Sequence, residues 1–315
     1  MKNFILVVFA SLLVAAGGPA TLAADHSDQK AVLVTGASSG IGLRIAEVLS
    51  GNGFYVYAGA RKAEDLERLD AMDNISSVKL DVTTQEEIDA AVEFVTSEGR
   101  GLWGIVNNAG VVVSSSLVSD AVSEVEFTFD VNVFGPIRVN QAFLPLVTES
   151  GGRTTTIGSV AGFLPGGSGS YSMSKFAVEG YTDTLASELR DAGVHVSVVE
   201  PGSYKSKIRD TRVARLLARA DSGEIELSED ERKRLKNSLA RNESLKEPYE
   251  VAEAVLDLMT SDTPKRRYLV TPNEGQAQRT IRAAMKRLLQ LNEDQRYSYD
   301  RDELVQMLDE SLEAL

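Results

Sequence analysis

Three residues of this sequence have the types and spacing to move a proton: Ser159, Tyr171 and Lys175. Ser159 ends a β-like run, TTTIGS. Tyr171 follows twelve residues later and Lys175 four after that. Residues four apart are neighbours on one face of a helix, so the phenol and the ammonium would sit together. The Gly- and Pro-rich segment between them would loop the serine back to the tyrosine. A tyrosine phenol has an ordinary pKa near 10. A neighbouring ammonium favours the phenolate and lowers that value, which would suit Tyr171 to proton exchange. The Ser159 hydroxyl can hydrogen-bond an oxygen on which charge develops.

The elements that would position this trio begin with Lys30 to Thr35 (KAVLVT), a continuous apolar run typical of a strand buried on both faces. It leads into Gly36-Ala-Ser-Ser-Gly40-Ile-Gly42 and then a helical segment, Leu43 to Leu49. Strand, glycine loop and helix together make a phosphate cradle. The glycines admit a pyrophosphate, and the helix N-terminus offers free N–H groups and a positive dipole end. Phe54 to Ala58 reads as a second strand, followed by Gly59-Ala60-Arg61-Lys62 with no acid. An acid there would bind a ribose 2′-hydroxyl, whereas an arginine accommodates a 2′-phosphate. The expected cofactor is therefore NADP(H), with NAD(H) as the alternative.

Further strands are expected at Val78 to Leu80, Gly104 to Val106, TTTIGS, Val194 to Val199 and Arg267 to Val270. Helices are expected over Gln85 to Glu98, about Thr128 to Val147, and Ser172 to Arg190. Pro136 implies a bend or irregular turn in the second of these. This alternation predicts an α/β fold: one doubly wound domain with a seven-stranded parallel sheet and helices on both faces. The domain would run over 25–275. Its 204–247 stretch, highly charged and with leucines at helical intervals, reads as a substrate lid. A helical C-terminal extension, 276–315, would follow. It opens with a basic amphipathic helix carrying Arg279, Arg282, Lys286 and Arg287.

The chain has 315 residues, 43% hydrophobic and 25% charged, and a net charge of -13. That balance argues against a nucleic-acid binder, which needs a basic face. With no cysteine, disulfides and thiolate sites are excluded, and no metal site is expected. The two histidines, His26 and His195, lie far apart, so a zinc centre or a Ser-His-Asp triad has little support. Residues 1–24 carry one cation, Lys2, before a long uncharged run. They read as a signal peptide that is cleaved on export, or as a retained membrane anchor, since a span takes about 20 apolar residues. A start site placed too far upstream would instead leave the domain cytoplasmic.

In combination these motifs resemble the classical short-chain dehydrogenase/reductase family over roughly Lys30 to Thr271. TGASSGIG (Thr35 to Gly42, including Ser38, Ser39 and Ile41) is similar to its cofactor loop. Asp81-Val82 looks like its adenine-contacting pair, and Asn107-Asn108-Ala109-Gly110 like its fourth-strand motif. Asn132, Ser159, Tyr171 and Lys175 match its catalytic tetrad, and Pro201-Gly202 the turn facing the nicotinamide. The resemblance implies a Rossmann-type fold, Lys175 also holding the nicotinamide ribose, and Asn132 holding a water that links Lys175 to solvent. Ser206, where the family usually has threonine, would keep a hydrogen bond to the carboxamide. GLWGIVNNAG and VEPGSYKS resemble the retinol and hydroxysteroid dehydrogenase branch, which implies a lipophilic alcohol, ketone or aldehyde. Family resemblance also implies a homodimer or homotetramer. Two other readings stand beside an oxidoreductase: a non-catalytic nucleotide-binding scaffold on the same fold, and an epimerase or dehydratase.

Overall fold

The computed structural model describes residues 29–113, 116–118, 121–165 and 169–314. The 1–24 segment read as a signal or anchor lies outside them. Among the described residues no helix is long and apolar enough to cross a membrane.

Strands and helices alternate from the start: β1 (Ala31–Val34), α1 (Gly40–Gly51), β2 (Tyr55–Ala60), α2 (Ala63–Asp70), β3 (Ile75–Lys79), α3 (Gln85–Ser97) and β4 (Gly104–Asn107). Next come α4 (Val122–Phe129), a π-helical turn (Asp130–Phe134), α5 (Gly135–Glu149), β5 (Arg153–Ile157) and a 3-10 turn (Val160–Gly162). The chain continues through α6 (Gly169–Glu188), β6 (His195–Pro201), α7 (Lys207–Asp221), α8 (Glu229–Glu243), α9 (Tyr249–Thr260) and β7 (Arg267–Val270). Two helices close it, α10 (Glu274–Asn292) and α11 (Arg301–Glu313).

The seven strands form one parallel sheet in the order β3-β2-β1-β4-β5-β6-β7. The strand order reverses between β1 and β4, which opens a crevice beyond their carboxyl ends. Side chains alternate across the sheet with period two. Val32 and Val34 face one core with Ile45, Leu49, Val255 and Leu258 from α1 and α9. Ala31 and Leu33 face the other with Ile88, Val139, Phe143 and Val147 from α3 and α5. Each fully buried side chain of this size contributes roughly 1.5–3 kcal/mol. Both faces are covered, and this is why β1 reads as an unbroken apolar run.

The elements differ in places from the sequence reading. β3 begins at Ile75, earlier than Val78, because Ile75 pairs with Val56 of β2. Helix α2, a single short amphipathic segment, had no separate sequence signal. The long helix expected over Thr128 to Val147 is divided by the π turn. Pro136 lies in the first turn of α5, where its missing N–H costs little, so the irregularity falls just before it. Ser159 lies past the end of β5 rather than in it, as the N-cap of the 3-10 turn.

Candidate functional site

The crevice at the carboxyl ends of the strands is a cavity of about 970 Å³. One end is formed by the β1–α1 loop. Gly36 and Gly40 hold φ of 64 and 57, left-handed conformations that favour glycine. Thr35 braces this loop from below, its Oγ1 accepting from the backbone N–H groups of Asn108 and Ala109 at 3.0 Å each. The Asn108 amide donates to the carbonyls of Thr35 and Gly36 at 3.0 and 3.1 Å. Ser39 is the N-cap of α1 but makes no side-chain capping bond, so the first N–H groups of the helix are open to the cavity. This is the donor set a pyrophosphate takes.

Gly42 has another role. It lies inside the loop, where an added Cβ would come within 2.4 Å of both Asn108 Nδ2 and Gly36 O. Gly42→Ala is expected to lower the melting temperature by about 3–6 °C, measured by thermal denaturation.

Farther along the same wall, Arg61 Nη1 pairs with Asp81 Oδ2 at 3.3 Å. Burial pushes the Asp81 carboxyl up, but hydrogen bonds from Thr83 and Arg61 outweigh it and the net direction is down. Arg68, on α2, donates to Ser38 O at 2.6 Å and so places a cation beside Ser38. The sequence reading missed Arg68, since its approach to Ser38 depends on how α2 folds back.

The other end of the cavity holds Ser159, Tyr171 and Lys175 together. The Lys175 ammonium is buried and donates to Ile157 O at 2.7 Å. It lies 5.5 Å from the centroid of the Tyr171 ring. Burial lowers its pKa to about 8, with Glu200 opposing. Tyr171 departs from the sequence expectation. Burial raises its phenol, and Glu200 adds to the rise; Ser159 and Arg209 act the other way without reversing it. The ammonium is held by a backbone carbonyl rather than by the phenol oxygen, so in the protein alone it does not lower the tyrosine.

Asn132 is held in the π turn, buried, and does not line the cavity. Its Nδ2 donates to Val111 O at 2.9 Å and Ser174 Oγ at 3.0 Å, and its Oδ1 accepts from Val111 N–H at 2.8 Å. Both amide hydrogens are therefore used on protein groups. The side-chain amide has no donor left for a water, which Asn132 could hold only through the remaining lone pair of Oδ1 or its backbone carbonyl.

Asp81, Val82, Asn108, Ala109, Gly110, Pro201, Gly202 and Ser206 line the same cavity, as do the loop residues from Gly36 to Ile41 other than Ala37. Several polar supports escaped the sequence reading. Glu200 is buried beneath Ser159 and accepts its backbone N–H at 2.7 Å. Burial, with Glu179 beside it, pushes the Glu200 carboxyl well above the usual range. Arg267 anchors Glu179 and Asp183, each at 2.7 Å. Gln276 of α10 holds the turn after β6, accepting from Ser203 N–H at 2.9 Å and donating to Ser203 Oγ at 3.2 Å. Asn242 of α8 ties this helix to the start of α7 by donating to Ser206 O at 3.0 Å. These supports depend on long-range contacts; only the position of Glu200 beside Pro201-Gly202 offered a sequence clue.

The fold has counterparts among known proteins. A family model described as short chain dehydrogenase matches residues 30–216. The chain belongs to the short chain dehydrogenase family. Within it, the chain is 38% identical over 191 residues to the mitochondrial D-beta-hydroxybutyrate dehydrogenase of Bos taurus, covering 57% of this chain and 56% of that one. The chain thus spans little more than half the length of that relative. A short-chain dehydrogenase structure from Streptomyces avermitilis has a TM-score of 0.67 at 26% identity, covering 85% of this chain and 99% of that one. A single-substitution variant of the actinorhodin polyketide ketoreductase, solved with NADPH, has a TM-score of 0.65 at 28% identity, covering 79% and 98%.

Proposed function

We propose that this short chain dehydrogenase is an NADP(H)-dependent oxidoreductase acting on a secondary alcohol and its ketone, or on an aldehyde. The observation that carries the reading is one cavity with a phosphate cradle at one end and Ser159, Tyr171 and Lys175 at the other. The residues present fit a dinucleotide: open N–H groups at the N-terminus of α1, Arg68 beside Ser38, and Arg61 in the cavity lining. When bound, NADP(H) supplies or accepts the hydride. In reduction, Ser159 Oγ donates a hydrogen bond to the carbonyl oxygen and Tyr171 Oη gives that oxygen its proton. The raised phenol keeps Tyr171 protonated at neutral pH, the state a donor needs. The Lys175 ammonium steadies the phenolate left behind and reaches the ribose of the cofactor. Val112, Val113, Phe127 and Leu164 supply an apolar wall for the substrate. The 204–247 stretch serves as the lid over it, and the extension from 276 supports the lid-side turn through Gln276.

The test is a titration with NADPH and with NADH, following nicotinamide fluorescence. Wild type is expected to bind NADPH more tightly. Arg61→Ala is expected to weaken NADPH about tenfold or more and to leave NADH within about threefold, since only the 2′-phosphate loses a partner. Equal weakening of both would remove Arg61 from the phosphate site, and binding of neither would overturn the reading.

A further inference from the structure

The charge on the wall of this cavity is opposite to that of the molecule. The chain carries a net charge of -13. Among the described residues, the lining of the cavity holds seven basic side chains and one acid, Asp81. Two of the cations have tasks in the proposed reaction, and a third residue borders the phosphate cradle. Arg61 stands at the 2′-phosphate position, Lys175 at the chemistry, and Lys207 beside Gly40, whose added Cβ would lie 3.5 Å from Lys207 N. The other four are arginines on the lid helices α7 and α8, beyond what the phosphates of a dinucleotide use.

Two of these four flank a contact between α7 and α8: Asn242, next to Arg241, donates to Asp210, next to Arg209, at 2.9 Å. Burial lowers the pKa of the half-buried Arg209 near the start of α7, and Arg241 of α8 lowers it further; Arg209 in turn acts to lower the Tyr171 phenol. Neither guanidinium forms an ion pair with an acid among the described residues. The acids around them are otherwise engaged: Asp210 Oδ1 accepts from Asn242 at 2.9 Å, and Glu243 pairs with Lys205 at 3.0 Å. Holding the half-buried Arg209 within reach of a second cation with no counter-charge costs free energy, and an anion that meets both would recover it.

We propose that Arg209 and Arg241 form an anion subsite, and that the substrate carries a carboxylate or phosphate at a distance from its reacting carbonyl. The proposal rests on the oxidoreductase reading for the identity of that carbonyl. Arg209 is within electrostatic reach of both Tyr171 and Arg241, and Arg241 is on α8, so an anion held by the pair sits on the α7–α8 side of the cavity. The apolar wall lies on the frame that joins the two ends. The expected substrate is thus an oxo or hydroxy acid, or a phosphorylated equivalent, with an apolar body.

Calorimetry with decanoate, decyl phosphate and decanol, with and without NADPH, tests the subsite apart from turnover. Decanoate or decyl phosphate is expected to bind at least about tenfold more tightly than decanol; the tighter of the two anions identifies the head group. Arg241→Gln and Arg209→Gln are each expected to weaken that anion about tenfold while leaving NADPH affinity within about twofold. Arg241 is exposed, so its substitution leaves the fold intact, and Arg241→Lys is expected to keep part of the affinity. Equal binding of decanol and both anions overturns the subsite. So does an Arg209→Gln variant that loses NADPH rather than the anion, since Arg209 would then belong to the cofactor phosphates. Failure of NADPH to bind, with anion selectivity intact, overturns the oxidoreductase reading alone.

Discussion

Tyr171→Phe is expected to lower kcat for carbonyl reduction by about 10³-fold while changing NADPH affinity less than about twofold. General acid–base groups contribute roughly 10²–10⁴-fold, and this substitution removes only the hydroxyl that carries the proton. The phenyl ring keeps its place on α6 and still walls the cavity, so the fold and cofactor cleft survive. Steady-state kinetics at saturating NADPH measures the first effect and fluorescence titration the second. A variant as fast as wild type would remove Tyr171 from the chemistry. A variant that loses both turnover and NADPH would mean that the phenol holds the cleft together rather than donating a proton.

The second large effect belongs to Lys175. Lys175→Met is expected to lower kcat by about 10³-fold, and it also changes how stability depends on pH. Burial lowers the lysine from 10.5 unfolded to about 8 folded. Below about 8 both states hold the proton, and the folded state bears the whole cost of a desolvated ammonium. Between about 8 and 10.5 the folded state releases the proton while the unfolded chain keeps it, so stability rises with pH through that window. The methionine variant lacks this rise. Wild type should therefore gain stability relative to Lys175→Met, on the order of 2 kcal/mol between pH 8 and 10, in urea unfolding. Reduction by wild type should hold steady up to about pH 8 and fall above it, as the ammonium beneath Tyr171 loses its charge. Parallel unfolding curves across that range would show that the ammonium is not buried in solution.

The parts of the fold that could be read from sequence were those coded by adjacent residues. β1 with its glycine loop, the Asn108-Ala109-Gly110 turn and the Tyr171–Lys175 spacing each combine a local pattern with a local conformation. The harder parts depend on contacts between distant segments. Helix α6 buries Ser170, Ser172, Ser174 and Lys175, so the face that enters the site is polar and gives only a weak amphipathic signal. Gln276 and Asn242 acquire their tasks only when α10 and α8 reach the turn after β6. Arg209 and Arg241 are ordinary solvated charges in a helical reading; the packing of α7 and α8 brings both to the cavity lining. The tyrosine pKa was misjudged for the same reason: spacing places the ammonium near Tyr171, but the Ile157 carbonyl decides where it points.

The π turn at Asp130–Phe134 joins two helices with separate duties. Helix α4 presents Phe127 to the cavity and ties Thr128 Oγ1 to Ser170 Oγ at 3.1 Å. Helix α5 drives Val139, Phe143 and Val147 into the core beneath the sheet. In a regular helix these two faces would share one phase, fixed by about 100° per residue. The wide turn takes up one extra residue and lets each face keep its own angle. Drift in the sequence of α4 can therefore reshape the wall against the substrate without rotating the core anchors of α5. Selection for a new substrate and selection for a stable core can act on adjoining stretches of chain with little conflict.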